Sequence, residues 1–301
     1  LDRIVEFKDA SDEERSIKLC NSGVMGISAP LLFKLLLQLD NKNAVGEYYL
    51  TDIVALATAQ NATCTVVQCD ESETLGVNSR VELAQAEHTF QTIRRAEALK
   101  IGITMPAPET VHFSFDTIIG RDTVIEQNVV FGPGVTVENG ARIRSFSHLE
   151  GAHISDGCII GPYARLRPGA ELAENVKIGN FVEVKASTLH EDVKVNHLSY
   201  IGDANIGART NIGAGTVTCN YDGAMKHQTK IGQDVFIGSN TMLVAPVKIG
   251  DGALTASGSV IVNDIPSGAL ALGRSKQVNK PGLAFKLMKK LKAIKVSKKG
   301  N

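Results

Sequence analysis

Arg167 and Lys185 stand eighteen positions apart, and two cations held one above the other repel unless an anion lies between them. The spacing reads as a phosphate site if the chain repeats with that period, and as two solvated surface charges if it does not. His197, in Asn196-His197-Leu198-Ser199-Tyr200, lies about two-thirds of such a period beyond Lys185. A neutral imidazole near a cation pair can serve as a general base, although a single histidine is more often structural. The small-residue stretch Asn211-Ile212-Gly213-Ala214-Gly215-Thr216 lets a ligand approach the backbone. Just after it, Asn220-Tyr221-Asp222-Gly223 offers a carboxamide, a phenol and exposed amides for sugar hydroxyls or an oxyanion. An ordinary solvated loop explains those residues equally well.

An element has to bring these groups together, and the spacing of apolar residues supplies one. From Ile119 an apolar side chain returns every sixth position, through Ile125, Phe131, Val137, Ile143 and Leu149. After a one-residue slip it resumes at Ile154, Ile160, Leu166, Leu172, Ile178 and Val184. It returns at Ile231, Ile237, Leu243 and Ile249, then Thr255 on the core position and Ile261. A period of six is neither helical nor a simple strand alternation. It predicts a mainly β chain wound as a solenoid over 103–265, with three six-residue sides to each coil and small residues at the corners. Stacked aliphatics as the core agree with an aromatic content of 5% and no Trp. The segment 218–229 is too polar to continue the inward pattern and is expected to project as a loop, where repetitive scaffolds carry function.

The pattern ends after Pro266, and 266–301 reads as a Lys-rich tail: Lys286, Lys289, Lys290, Lys292, Lys295, Lys298 and Lys299. A solvated tail is favoured over a membrane-surface or phosphate-binding helix, although Leu283, Leu287 and Leu291 recur every fourth residue. Residues 79–102 are rich in Ala, Glu, Gln and Arg and read as one linker helix closed by Gly102. Residues 1–78 read as part of an α/β domain, with helices at Pro30 to Leu39 and Thr51 to Ala59 and strands at Arg3 to Phe7 and Cys64 to Val67. That region carries no Gly-rich phosphate loop, and the strand-like start at Leu1 suggests that the chain begins inside a domain. The 32 basic and 32 acidic residues cancel, which argues against nonspecific nucleic-acid binding. No apolar run is long enough to suggest a membrane span. Five cysteines without a CxxC pair point to a reducing cytoplasm rather than to disulfides or structural zinc.

Several motifs resemble one family. Gly161-Pro162-Tyr163-Ala164-Arg165-Leu166-Arg167-Pro168-Gly169, Gly179-Asn180-Phe181-Val182-Glu183-Val184-Lys185 and Asn211 through Gly223 are similar to the C-terminal half of the bacterial bifunctional enzymes GlmU. Those enzymes are N-acetylglucosamine-1-phosphate uridyltransferases and glucosamine-1-phosphate acetyltransferases. Ile4-Val5-Glu6-Phe7-Lys8-Asp9-Ala10, Gly46-Glu47-Tyr48-Tyr49-Leu50-Thr51-Asp52 and Gly76-Val77-Asn78 resemble their uridyltransferase domain.

The resemblance implies a left-handed parallel β-helix that forms a homotrimer with acetyltransferase sites shared between subunits. It implies His197 as the base that deprotonates the sugar's 2-amino group and Arg167 and Lys185 as phosphate-binding cations. Tyr200, Asn211 and Lys226 become sugar contacts, and Ala214, Asn220, Tyr221, Ser239, Ser257 and Arg274 acetyl-CoA contacts. Ser257 stands where the family often has Ala; the contact is expected to be largely backbone. Glu183 is expected to orient His197 from the adjoining coil. Glu6, Asn21 and Asn78 match a UDP-sugar site, and Asn78 matches a magnesium ligand. The family's nucleotide loop and metal-binding Asp would precede residue 1, so no uridyltransferase activity is expected from this chain. Two other readings compete: a γ-carbonic-anhydrase-like metal enzyme built from histidines such as His148, His153, His190 and His197, and a solenoid without chemistry.

Overall fold

The computed structural model describes residues 1–297. Two compact units divide the chain, 1–89 and 90–301.

In the first unit, helices Ala29–Leu36 and Ile53–Ala59 pack Leu35, Ile53 and Ala57 into a small core with Leu31, Leu32 and Leu56 against it. Pro30 sits in the first turn of its helix, where its missing N–H costs nothing. The strands expected at Arg3 to Phe7 and Cys64 to Val67 do not form. A strand exists only as a rung of a ladder, and both segments run as irregular chain with no ladder partner among the described residues. Helix Arg80–Lys100 follows, just inside the expected 79–102, and Gly102 ends it with a φ of 99°.

The second unit is a left-handed parallel β-helix. Its strands fall into three parallel sheets, which form the three sides of a prism. Face 1 holds eight strands from Ile118–Ile119 to Val247–Ile249, and face 2 holds nine from Val124–Ile125 to Leu270–Ala271. Face 3 holds eight, from Val130–Phe131 to Val260–Ile261. Each coil visits the faces in turn, and its inward aliphatic stacks on the one below. Ile160, Leu166 and Leu172, one per face, are at most 1% exposed. Thr255 is fully buried on its core position, where its Oγ1 accepts from the Gly238 N–H at 2.9 Å.

Between Val184 and Ile231 the core continues through Leu189, Val195, Ile201, Ile206, Ile212 and Thr218, rungs that a fixed period of six does not find. The steps Val184 to Leu189 and Ile201 to Ile206 are five residues long, like Leu149 to Ile154, and all three turn the edge from face 3 to face 1. A coil that contains such a step is shorter by one position than the regular ones, so Asn180 lies opposite His197 and Lys185 opposite Gly202.

Three boundaries move. Thr218 and Thr229 are fully buried in strands Val217–Cys219 and Thr229–Ile231, so the projecting loop is 220–228 rather than 218–229. A final strand, Leu270–Ala271, pairs with Leu254–Thr255, so the solenoid runs past 265. The tail contains a helix, Leu283–Ser297, with exposed Leu287, Met288 and Leu291 among its lysines. Lys298 and Lys299 lie outside the described residues.

Candidate functional site

The chemistry-bearing residues collect on face 3 and its two edges, His197 where face 2 turns into face 3, and Lys185 and Asp203 where face 3 turns into face 1. His197 ends the face 2 strand Lys194–His197, Leu198 turns the corner with a φ of 51°, and Tyr200 opens the face 3 strand Tyr200–Gly202. The His197 ring is exposed and its Nδ1 lies 2.8 Å from Asn180 Oδ1, one coil below. Because a carboxamide oxygen can only accept, Nδ1 is the donor in that contact, and Nε2 is the ring nitrogen left outside it.

Glu183 does not take that role. It follows Asn180 by three residues, round the corner on face 3, where it pairs with Tyr200 across the ladder and accepts from Arg167 at 2.8 Å. The correction follows from coil length, since the shortened coil brings Asn180 beneath His197. The same carboxylate holds the Arg167 guanidinium still more firmly protonated.

Arg167 and Lys185 do stack: the Arg167 N–H donates to Val184 O at 2.9 Å, one residue from Lys185. They are not a bare cation pair, however. Each has its own carboxylate, Glu183 for Arg167 and Asp203, 3.6 Å from Lys185 Nζ. Lys226 reaches into the same cluster from the projecting loop. The Lys185 ammonium pushes its proton affinity down, with Arg167 adding to the effect and Asp203 opposing it. With Arg165 also 4.0 Å from Glu183, the cations outnumber the two carboxylates, and that excess suits an anion. Tyr200 and Asn220 close the cluster, the Asn220 amide donating to Asp203 and lying 3.5 Å from the Tyr200 hydroxyl. Asp203 and Asn180 escaped the sequence reading, yet both lie about one coil from a residue already singled out.

The residues expected to touch acetyl-CoA fall mostly in one column. Asn240 N–H donates to Ala214 O, Gly258 N–H to Ser239 O, and Gly215 N–H to His197 O. Extending the ladder register of face 2 therefore stacks His197, Ala214, Ser239 and Ser257 along a single edge. With strands about 4.8 Å apart, that column is about 14 Å long. Arg274 tops it, donating to Ser257 O at 3.0 Å. Part of the small-residue signal at 211–216 is structural: a Cβ on Gly213 would lie 2.5 Å from Ile237 O of the next coil. Asn211 points outward from face 2 in the rung next to Lys194, and Tyr200 outward from face 3 three residues after His197. Tyr221 stands in the exposed loop, its hydroxyl donating to Gly223 O at 2.6 Å.

Glu6, Asn21 and Asn78 belong to the first unit. Glu6 accepts from the Thr51 hydroxyl at 3.0 Å, and the Asn78 backbone N–H donates to Glu82 at 2.6 Å. Among the described residues no group of three or more His, Cys, Asp or Glu side chains is placed to hold a metal ion. None of their helices is long and apolar enough to cross a membrane.

Comparison with known proteins adds to this geometry. The family model described as bacterial transferase hexapeptide (six repeats) matches residues 116–151, 151–186 and 228–263. The curated bifunctional protein GlmU of Jannaschia sp. (strain CCS1) is 66% identical over 298 residues, covering 99% of this chain and 66% of that protein. GlmU of Paracoccus denitrificans is 61% identical, covering all of this chain and 67% of that protein. The chain thus spans about two thirds of the length of the curated relatives it matches. Among solved structures, the Francisella novicida UDP-N-acetylglucosamine acyltransferase shares the fold, with a TM-score of 0.50 at 15% identity over 56% of this chain and 67% of that one.

Proposed function

Since the chain belongs to the family of bifunctional GlmU proteins, we propose that it transfers the acetyl group of acetyl-CoA to the 2-amino group of glucosamine 1-phosphate. The product is N-acetylglucosamine 1-phosphate, the precursor of UDP-N-acetylglucosamine. One observation carries the reading: face 3 has at one edge an imidazole whose Nδ1 is held by Asn180 and toward the other a cluster of cations in excess over its carboxylates.

The chemistry follows from that arrangement. The sugar phosphate binds at Arg167, Lys185 and Lys226, with Tyr200 and Asn211 on either side of the edge. The thioester lies along the column Ala214, Ser239 and Ser257, with Asn220, Tyr221 and Arg274 around it. The amine attacks the thioester carbonyl, His197 Nε2 takes the proton released by nitrogen, and the C–S bond breaks as the C–N bond forms. The proton then passes to the departing thiolate. No covalent enzyme intermediate is needed.

We further read the active form as a homotrimer in the cytoplasm. Exposed apolar residues on the last coils of faces 2 and 3, such as Leu254, Leu270 and Val260, suit a surface covered by neighbouring copies. Five free cysteines suit a reducing compartment. The magnesium of the uridyltransferase reaction does not fit the residues present, since Asn78 has no cluster of carboxylates around it. No step is derived through that metal. The relatives give no support to a metal-dependent hydratase.

The test is release of CoA thiol from acetyl-CoA with glucosamine 1-phosphate or with unphosphorylated glucosamine as acceptor. Fast release with the first and slow release with the second is expected. Equal rates would remove the phosphate assignment, and no release with either would remove the activity.

A further inference from the structure

Lys226 is held where its charge is unwelcome. Lys185 opposes its protonation, Asp203 favours it and Arg167 adds a further opposition; the side chain is exposed, and on an unrestrained loop it would be free to swing away from Lys185. Something in the loop 220–228 has to keep it in place. The loop folds back as a short hairpin, with an antiparallel bridge between Tyr221 and Lys226. Asp222 organises it. One carboxylate oxygen accepts from the backbone N–H of Ala224 at 2.8 Å and of Met225 at 2.7 Å. The other is 2.7 Å from His227 Nε2. The amide of Met225, the imidazole of His227 and the amide of Ala224 all hold the Asp222 carboxyl far below the usual carboxylate range, so it stays ionised. The backbone at His227 is anchored in turn, its amide N–H donating to Asn220 O at 2.8 Å at the base of the hairpin.

Lys226 is therefore bracketed, with Met225 before it and His227 after it both bound to one carboxylate. We propose that Asp222 and His227 form a clasp that positions Lys226 against Lys185, so that the cation cluster is assembled before the substrate arrives and is tuned to a phosphorylated sugar. The inference rests on the phosphate site proposed above. Assembly in advance matters because two ammonium groups must otherwise be brought together during binding, at the expense of affinity. A phosphate oxygen between them turns that repulsion into attraction. An acceptor without phosphate gains nothing from the clasp.

Steady-state kinetics of the full chain test this with Asp222→Ala, His227→Ala, His227→Gln, Lys226→Ala and the double variant Asp222→Ala/Lys226→Ala. Asp222→Ala and His227→Ala should each raise the KM for glucosamine 1-phosphate roughly tenfold, the scale of a lost charge-assisted contact. The acetyl-CoA KM and kcat should move far less. His227→Gln keeps a side-chain N–H for Asp222 and should recover most of the loss. The double variant should be no worse than Lys226→Ala alone, because the clasp acts only through that lysine. Multiplying losses, an unchanged sugar-phosphate KM in Asp222→Ala, or an equal fall for both substrates would overturn the clasp. A normal KM in Lys226→Ala would instead overturn the phosphate reading beneath it. Thermal melting of each variant separates these outcomes from failure to fold.

Discussion

Faces 1 and 3 of the prism share a core and differ outside. Inward, Leu172 and Leu166 are interchangeable aliphatics, fully sequestered. Outward, the late rungs of face 1 carry Asn205, Lys230 and Lys248 in one file, while those of face 3 carry Val217, Met242 and Val260. Face 2 resembles face 3, its file ending in Phe236, Leu254 and Leu270. A parallel β-helix needs only the inward residue and the corner to fold, so the outward file is free to specify what each side meets. Face 1 is dressed for water. Faces 2 and 3 present apolar files on their late rungs, and the edge between them carries His197.

Breaking the shared core should cost most and should not depend on the face. Ile160→Ala, Leu166→Ala and Leu172→Ala, on faces 2, 3 and 1 of one coil, should each lose about 2–5 kcal/mol of stability in denaturant titrations. A face that tolerates alanine with almost no loss would show that the three sides are not equivalent inside.

The outward difference is sharpened by a pair of histidines. His197→Ala should lower acetyl-transfer turnover about a hundredfold, the usual contribution of a general base. His153→Ala on face 1 removes a histidine that bridges Glu138 and Glu171 on the surface. Its initial rates should stay within about twofold of the parent, since exposed pairs contribute little. Comparable losses in the two variants would dissolve the distinction between the edge and the outer face.

A smaller effect separates the faces as surfaces. Leu254→Glu buries a charge wherever face 2 is covered and should weaken self-association at least about tenfold in light scattering. Lys248→Glu, on face 1, should leave the assembly mass unchanged. A reversed pattern would move the contact to the polar side.

Much of this architecture was legible in the sequence because period six has one physical solution, and each of its apolar positions from Ile125 to Ile249 is buried where the spacing implied. What escaped did so for definable reasons. Two five-residue steps, into Leu189 and into Ile206, put the middle coils out of frame with any constant period. The same missed steps hid Asn180 beneath His197 and sent the expected orienting role to Glu183. Thr218 and Thr229 look like loop because they are polar, although the core uses them: the Thr218 hydroxyl accepts from the Gly202 N–H at 2.7 Å. Asp203 gives no signal of its own, since an Asp after a Gly reads as a turn until its coil is wound onto that of Lys185. In the first unit, β-branched runs at Val5 and Val66 suggested strands, and propensity cannot make a ladder without a neighbour.

The account's central claim is that this chain forms an amide bond at the edge bearing His197. Its most direct measurement follows the sugar rather than the thiol. The purified chain is incubated with acetyl-CoA and glucosamine 1-phosphate, and the sugar is identified by NMR. One N-acetylated sugar phosphate per acetyl-CoA consumed, with product formation nearly abolished in His197→Ala, is the predicted result. Acetyl-CoA hydrolysis with the amino sugar left unmodified, or equal product from the variant, would contradict it.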